Sequence, residues 1–246
     1  MHSHFSSVGF AHLEHEDLIR YAHQAAEAGE VIPVEGGAYF HWHAGNGAEL
    51  WLQVDDQDRV LSAQPHFAGP SRLRVRLSER VKRDDDSLLD GAFRAWAAPE
   101  EGGESPYPFM FDAPDALAQQ ALPLPTIAHV QLAAFAHQLE ARPTEAEFHA
   151  AQQGTFKIAA GSFIPSALFS RLQADLVAPP THALFSGHIL IAARVTNPFT
   201  GEEFAWAQVR ALGGQVDVVA DPATITGELV AGGVASGIFW LSGRIA

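Results

Sequence analysis

Between residues 38 and 44 the chain changes side-chain character at every step, and that alternation limits what the segment can be. Ala38, Phe40, Trp42 and Ala44 form one set; Tyr39, His41 and His43 form the other. A period of two belongs to a strand with one dry and one polar face. Gly45-Asn46-Gly47 then gives a turn signal, and residues 48–54 (AELWLQV) read as the returning strand. The spacing predicts a β-hairpin.

Around this hairpin the pattern changes twice. Residues 16–28 predict a helix: Glu16 and Asp17 suit its first turn, Leu18, Ala22 and Ala25 recur at helical spacing, and Gly29 is a stop. Strand character continues at 59–63 and at 72–77, where arginines alternate with Leu73, Val75 and Leu77. Residues 98–108 read as a loop. Residues 113–154 then read as helical. Thr126 is placed to cap a helix with the stripe Ala128, Leu132, Phe135 and Leu139. Pro143 ends it, and Thr144-x-x-Glu147 is a capping box for a short helix after it. A second β region runs from about residue 183, with strands at 187–195, 203–209, 216–219 and 238–245 and turns at 197–201 and Gly213-Gly214. The expected fold is α+β: two β-rich halves with curved antiparallel sheets and a helical segment between them, divided as 1–122 and 123–246.

Composition narrows the function classes. Apolar residues make up 47% and charged residues 18%, enough to bury a sizeable core. There is no cysteine, so disulfides, thiolate metal sites and cysteine nucleophiles are excluded together. A net charge of −14 repels phosphate backbones and argues against a nucleic-acid partner. The apolar stretch 229–241 holds three glycines and is shorter than the ~20 residues a spanning helix needs, so no membrane partner is expected. With no secretory pattern at the N-terminus, the expected compartment is cytoplasmic. A homo-oligomer stays open.

Histidine is the chemical anomaly: 13 residues, with His2, His4, His12, His15, His23, His41, His43 and His66 towards the N-terminal side. Neutral imidazole is the commonest metal ligand. His41 and His43 share a strand face, and Glu49 lies across the short turn, offering a carboxylate if its parity matches. Two imidazoles and a carboxylate suit zinc, iron or manganese. The competing interpretation is a solvated strand face beside Tyr39. Trp51 and Tyr39 are the candidate ligand-binding walls. No Gly-x-Ser-x-Gly elbow and no phosphate loop occur; 159–163 and Gly232-Gly233 lack the required partners.

His41-x-His43 followed by Glu49 is similar to the cupin signature, with one residue too many before the glutamate; His66, after Gln64-Pro65, is the nearest match to its second half. The order strand 5–13, helix 16–28, strands 31–35, 38–44 and 48–54, ending in Gly47-Ala48-Glu49-Leu50-Trp51-Leu52, resembles the βαβββ module of the glyoxalase-like, or vicinal-oxygen-chelate, superfamily. That resemblance implies a divalent metal bound by a histidine of the first strand and a glutamate of the last, here His4 (or His12) and Glu49. His188 and Glu203 are the candidates for a second module. The expected function is therefore a small-molecule-binding protein with a divalent-metal-dependent, glyoxalase-like activity. His4, His41, His43 and Glu49 would line a sheet concavity, with Glu49 also moving a proton. The alternative is a non-catalytic binding protein whose acidic surface docks a basic partner. A duplicated module is a further option, from the likeness of Gly47-x-Glu49-x-Trp51-x-Gln53 to Gly201-x-Glu203-x-x-Trp206-x-Gln208, offset by one residue.

Overall fold

A computed structural model of the chain describes residues 4–10, 15–99, 107–153, 157–166 and 181–246. Helix α1 (His15–Ala28) leads into β1 (Glu30–Val34), β2 (Gly37–Gly45), β3 (Ala48–Asp55) and β4 (Val60–Phe67), which pair in that order as a four-stranded antiparallel sheet. The hairpin expected at 38–54 is β2–β3. Asn46 and Gly47 take left-handed φ values of 51° and 83°, as a tight turn between right-twisted strands requires. The register sets His43 opposite Glu49 and His41 opposite Trp51.

The second sheet holds β5 (Leu73–Val81), β6 (Ala92–Ala97), β7 (Pro108–Asp112), β8 (Thr126–Arg142), β9 (Phe163–Pro165), β10 (His182–Thr196), β11 (Glu203–Ala211), β12 (Gly214–Ala220), β13 (Ile225–Thr226) and β14 (Val234–Ile245). Its spine is the antiparallel pair β8–β14, which runs from Val130 opposite Ile245 to Arg142 opposite Val234 with one register shift between Ile238 and Phe239. The other edge of β8 takes β5, then β12 and β13 in parallel. The other edge of β14 takes β10 and, at Ser242, β7. Because β5–β6–β7 and β12–β11–β10 are each continuous, the sheet closes into two rings that share β8 and β14. Side chains from every strand of both rings, Leu77, Phe93, Phe111, Leu132, Phe185, Val209 and Phe239 among them, form one buried cluster.

A second core joins the two sheets. Trp42, Leu50, Leu52 and Phe67 of the small sheet meet Phe10, Tyr21 and Ala25 on one side and Ala133, Phe135, Phe204, Val219 and Trp240 of the large sheet on the other. The molecule is thus α+β and mostly strand, with two sheets and, among the described residues, two α-helices. Strands from both sides of residue 122 build the large sheet. Among the described residues no helix is long and apolar enough to cross a membrane.

Two elements differ from expectation. The helix expected from Thr126 is a 17-residue strand, β8. Its Leu132, Ala134 and Ala136 face the ring core, while Ala133 and Phe135 face the second core. A strand buried on both faces is apolar at successive positions, and such a run imitates a buried helix. Only its flanks are helical: a 3₁₀ turn at Ala116–Gln119, and α2 (Glu145–Ala151), where Thr144 Oγ1 accepts from the Glu147 N–H as the capping box predicts. The strand expected at 5–13 is not formed in its described part. Ser6–Val8 is a 3₁₀ turn that ends on Gly9 at φ 74°. Residues 11–13 lie outside the described residues, as do 100–106 of the expected 98–108 loop.

Candidate metal centre

Strand alternation puts His41 and His43 on the same face of β2, and the β2–β3 register brings Glu49 beside them. Glu49 Oε1 lies 3.1 Å from His41 Nε2 and 2.9 Å from His43 Nδ1. His41 Nε2 and Glu49 Oε1 are buried, yet neither is aligned for a hydrogen bond. One donor atom from each of the three residues lies within 4.8 Å of the others. Donors about 2.1 Å from one ion and about 90° apart would sit roughly 3.0 Å from each other, so these separations suit neighbouring positions around a cation. The His43 side chain is 62% exposed, whereas those of His41 and Glu49 are 4% and 0% exposed, so the site opens on the His43 side.

The second oxygen of Glu49 is held in place. Oε2 accepts from Trp51 Nε1–H at 3.3 Å, and Arg244 Nη1 lies 3.8 Å away. Burial alone would raise the Glu49 carboxyl. The close approach of His41 and the fields of His66, His41 and Arg244 more than offset this and hold it at about 2. Such a carboxylate stays ionised and suits a ligand; it is poorly matched to carrying a proton near neutral pH. The Trp51 ring stacks on His41, with centroids 3.8 Å apart and planes 15° apart, and Arg244 lies over the same ring at 4.7 Å.

The other expected positions separate. Tyr39 is buried on the same face of β2, beyond His41: its hydroxyl donates to the Leu89 carbonyl at 2.7 Å and accepts from the Leu117 N–H at 3.0 Å, and burial pushes the phenol up to about 12. Tyr39 and Trp51 lie on the same sheet face as His41, His43 and Glu49, and both side chains are fully buried beside them. His66 of β4 faces Glu49 in register, but both its nitrogens are engaged, with Gln131 Oε1 and with Ser242 Oγ, each at 2.8 Å. His4 does not join His41, His43 and Glu49; its ring lies with His137 and His182 against the large sheet. His2 and His12 lie outside the described residues. His188 and Glu203 sit near opposite ends of the β10–β11 pair, facing Arg210 and Thr196, and do not meet.

Sequence reasoning did not find Arg244, which approaches Glu49 from the C-terminal strand, or His137 and His182. The surplus of histidine was the only signal for the last two. Comparison with protein-family models, with curated proteins and with solved structures finds no match to the chain.

Proposed function

We propose that this chain is a small-molecule-binding metalloprotein whose divalent cation is held by His41, His43 and Glu49. One observation carries this: Glu49 Oε1 and His41 Nε2 are buried, face each other at 3.1 Å, and have no hydrogen-bond partner. A buried ionised oxygen that makes no hydrogen bond is costly, and a cation shared with the imidazoles of His41 and His43, 3.1 and 2.9 Å away, satisfies it. Two imidazoles with one carboxylate suit zinc, manganese or iron.

Each neighbour has a role in this arrangement. Trp51 fixes the plane of His41 and the rotation of Glu49 together. Arg244 adds positive charge near Glu49 Oε2 and leaves Oε1 free for the ion. His43, the exposed member, marks the side from which a small ligand reaches the site. A bound cation supplies Lewis acidity to an oxygen of that ligand. The catalytic form of this proposal is glyoxalase-like, supported by the helix, the four-stranded sheet after it and the glutamate on β3.

Metal analysis of untagged protein tests the assignment. The wild type is expected to carry one more equivalent of divalent metal than Glu49→Gln or His43→Ala, and added zinc or manganese should raise its melting temperature more than theirs. Equal metal content and equal thermal response in the wild type and both variants would overturn it.

A further inference from the structure

We propose that His4, His137 and His182 form a second divalent-cation site, nitrogen-only and independent of the first. The three rings come from distant parts of the chain, and the large sheet assembles them. Trp240 of β14 is paired with His182 of β10 on one side and with Phe135 of β8 on the other. Two residues beyond Phe135, β8 is bulged: Ala136 faces Phe239 and Gln138 faces Ile238, which leaves His137 with no residue opposite it. A bulge re-aims the extra side chain, and here it brings His137 against His182, with ring centroids 4.9 Å apart and planes 17° apart. His4 completes the group by lying flat on Trp240, 4.4 Å away at 10°. Trp240 is itself pinned, since its Nε1–H donates to Asp112 Oδ2 at 2.6 Å and Asp112 is ion-paired with Arg83 at 2.7 Å.

The nitrogens converge. His137 Nε2 is 2.8 Å from His182 Nε2 and 3.4 Å from His4 Nε2. On a neutral ring that nitrogen holds either one proton or one lone pair, so it cannot make two full hydrogen bonds of opposite sense. A cation accepts a lone pair from all three rings. Burial, together with repulsion from His137 and His182, holds His4 at about 3. Burial and His137 likewise hold His182 at about 4, and burial lowers His137.

The donor set selects the ion. Three imidazoles and no carboxylate suit zinc, and also copper or nickel, but not the hard ions manganese, magnesium or calcium. His137 is exposed and borders a groove of about 710 Å³ lined also by Glu140, Ile158, Leu184, Thr226 and Ser236. A ligand in that groove would reach an ion held by the three rings from the His137 side.

The two sites are separable in titrations of metal-free, untagged, full-length protein. Zinc should bind wild type with two equivalents and manganese with one. Glu49→Gln should retain one zinc and no manganese. Adding His137→Ala, or alternatively His4→Ala, to Glu49→Gln should remove the remaining zinc. Circular dichroism of each variant checks the fold, and His137 is an exposed bulge residue whose removal leaves both cores intact. The proposal fails if Glu49→Gln protein takes up no zinc, or if its zinc survives both histidine substitutions. Should Glu49→Gln leave the wild-type stoichiometry unchanged while His137→Ala lowers it by one, the first site falls and the second stands.

Discussion

Gln131 fixes the tautomer of His66. The Gln131 amide nitrogen donates to Asp217 Oδ2 at 3.1 Å, so its oxygen is the atom that meets His66 Nε2 at 2.8 Å. An amide oxygen only accepts, so His66 Nε2 carries the proton. Nδ1 is then the acceptor for the Ser242 hydroxyl at 2.8 Å. A histidine opposite Glu49 is in this way kept neutral and out of the ligand set.

That neutrality gives folding one component of its pH dependence. Burial lowers His66 to about 4, against the pull of Glu49 and Gln131, with Arg244 and His41 lowering it further. An unfolded histidine titrates near 6.5. Between those values the unfolded chain binds more protons at this residue, so the contribution of His66 to the stability of the metal-free protein rises from about pH 4 to about pH 6.5 and then levels off. His4 and His182 add to the same slope. Denaturant unfolding at pH 4.5 and pH 7 should differ less for His66→Gln than for the wild type. An unchanged difference would mean that His66 is not buried neutral.

Trp51 acts on the proposed metal through both of its contacts. Trp51→Phe keeps a ring against His41 but deletes the hydrogen bond to Glu49 Oε2. Zinc affinity at the Glu49 site should fall about ten- to a hundredfold, the usual cost of losing a partner behind a ligand. Trp51→Ala should also cost ~3–5 kcal/mol of stability. Affinity unchanged in Trp51→Phe would show that Glu49 needs no such support.

Gly69 has no room for a methyl group. A Cβ there would stand 2.2 Å from Cγ and Oδ2 of Asp217. That carboxylate accepts from the Ser71 N–H, the Gln131 amide and the Trp206 indole. Gly69→Ala should therefore lose roughly 1–3 kcal/mol by overpacking, with more if a buried donor is stranded. A wild-type melting temperature would show that Asp217 can step aside.

Thr144→Ala removes the side-chain acceptor for the Glu147 N–H at the start of α2. The loss should be about 1 kcal/mol, and Thr144→Ser should recover most of it. Equal stability of all three proteins in urea would leave the cap without weight.

What the sequence made legible was local. The hairpin carrying His41, His43 and Glu49 spans few residues, and its alternation, turn glycines and ligand parity all lie within them. The capping box at Thr144 is equally short-range. β8 was not legible, because its outward positions Ala133 and Phe135 are buried by the small sheet and carry no polar mark. The group of His4, His137 and His182 was hidden for another reason. Its members are 133 and 45 residues apart in sequence, and a bulge invisible to any period turns His137 towards the others.

The shared pair β8–β14 has a consequence for how the molecule opens. Each of these strands is hydrogen-bonded along both margins, to β14, β5, β12 and β13 in one case and to β8, β10 and β7 in the other. Neither ring can loosen without exposing amides of the other, so the two should exchange deuterium as a single cooperative unit, with the central amides of Leu132–Phe135 and Phe239–Leu241 slowest of all. Partial unfolding should be confined to segments outside that frame, above all β1, which is bonded along one side only.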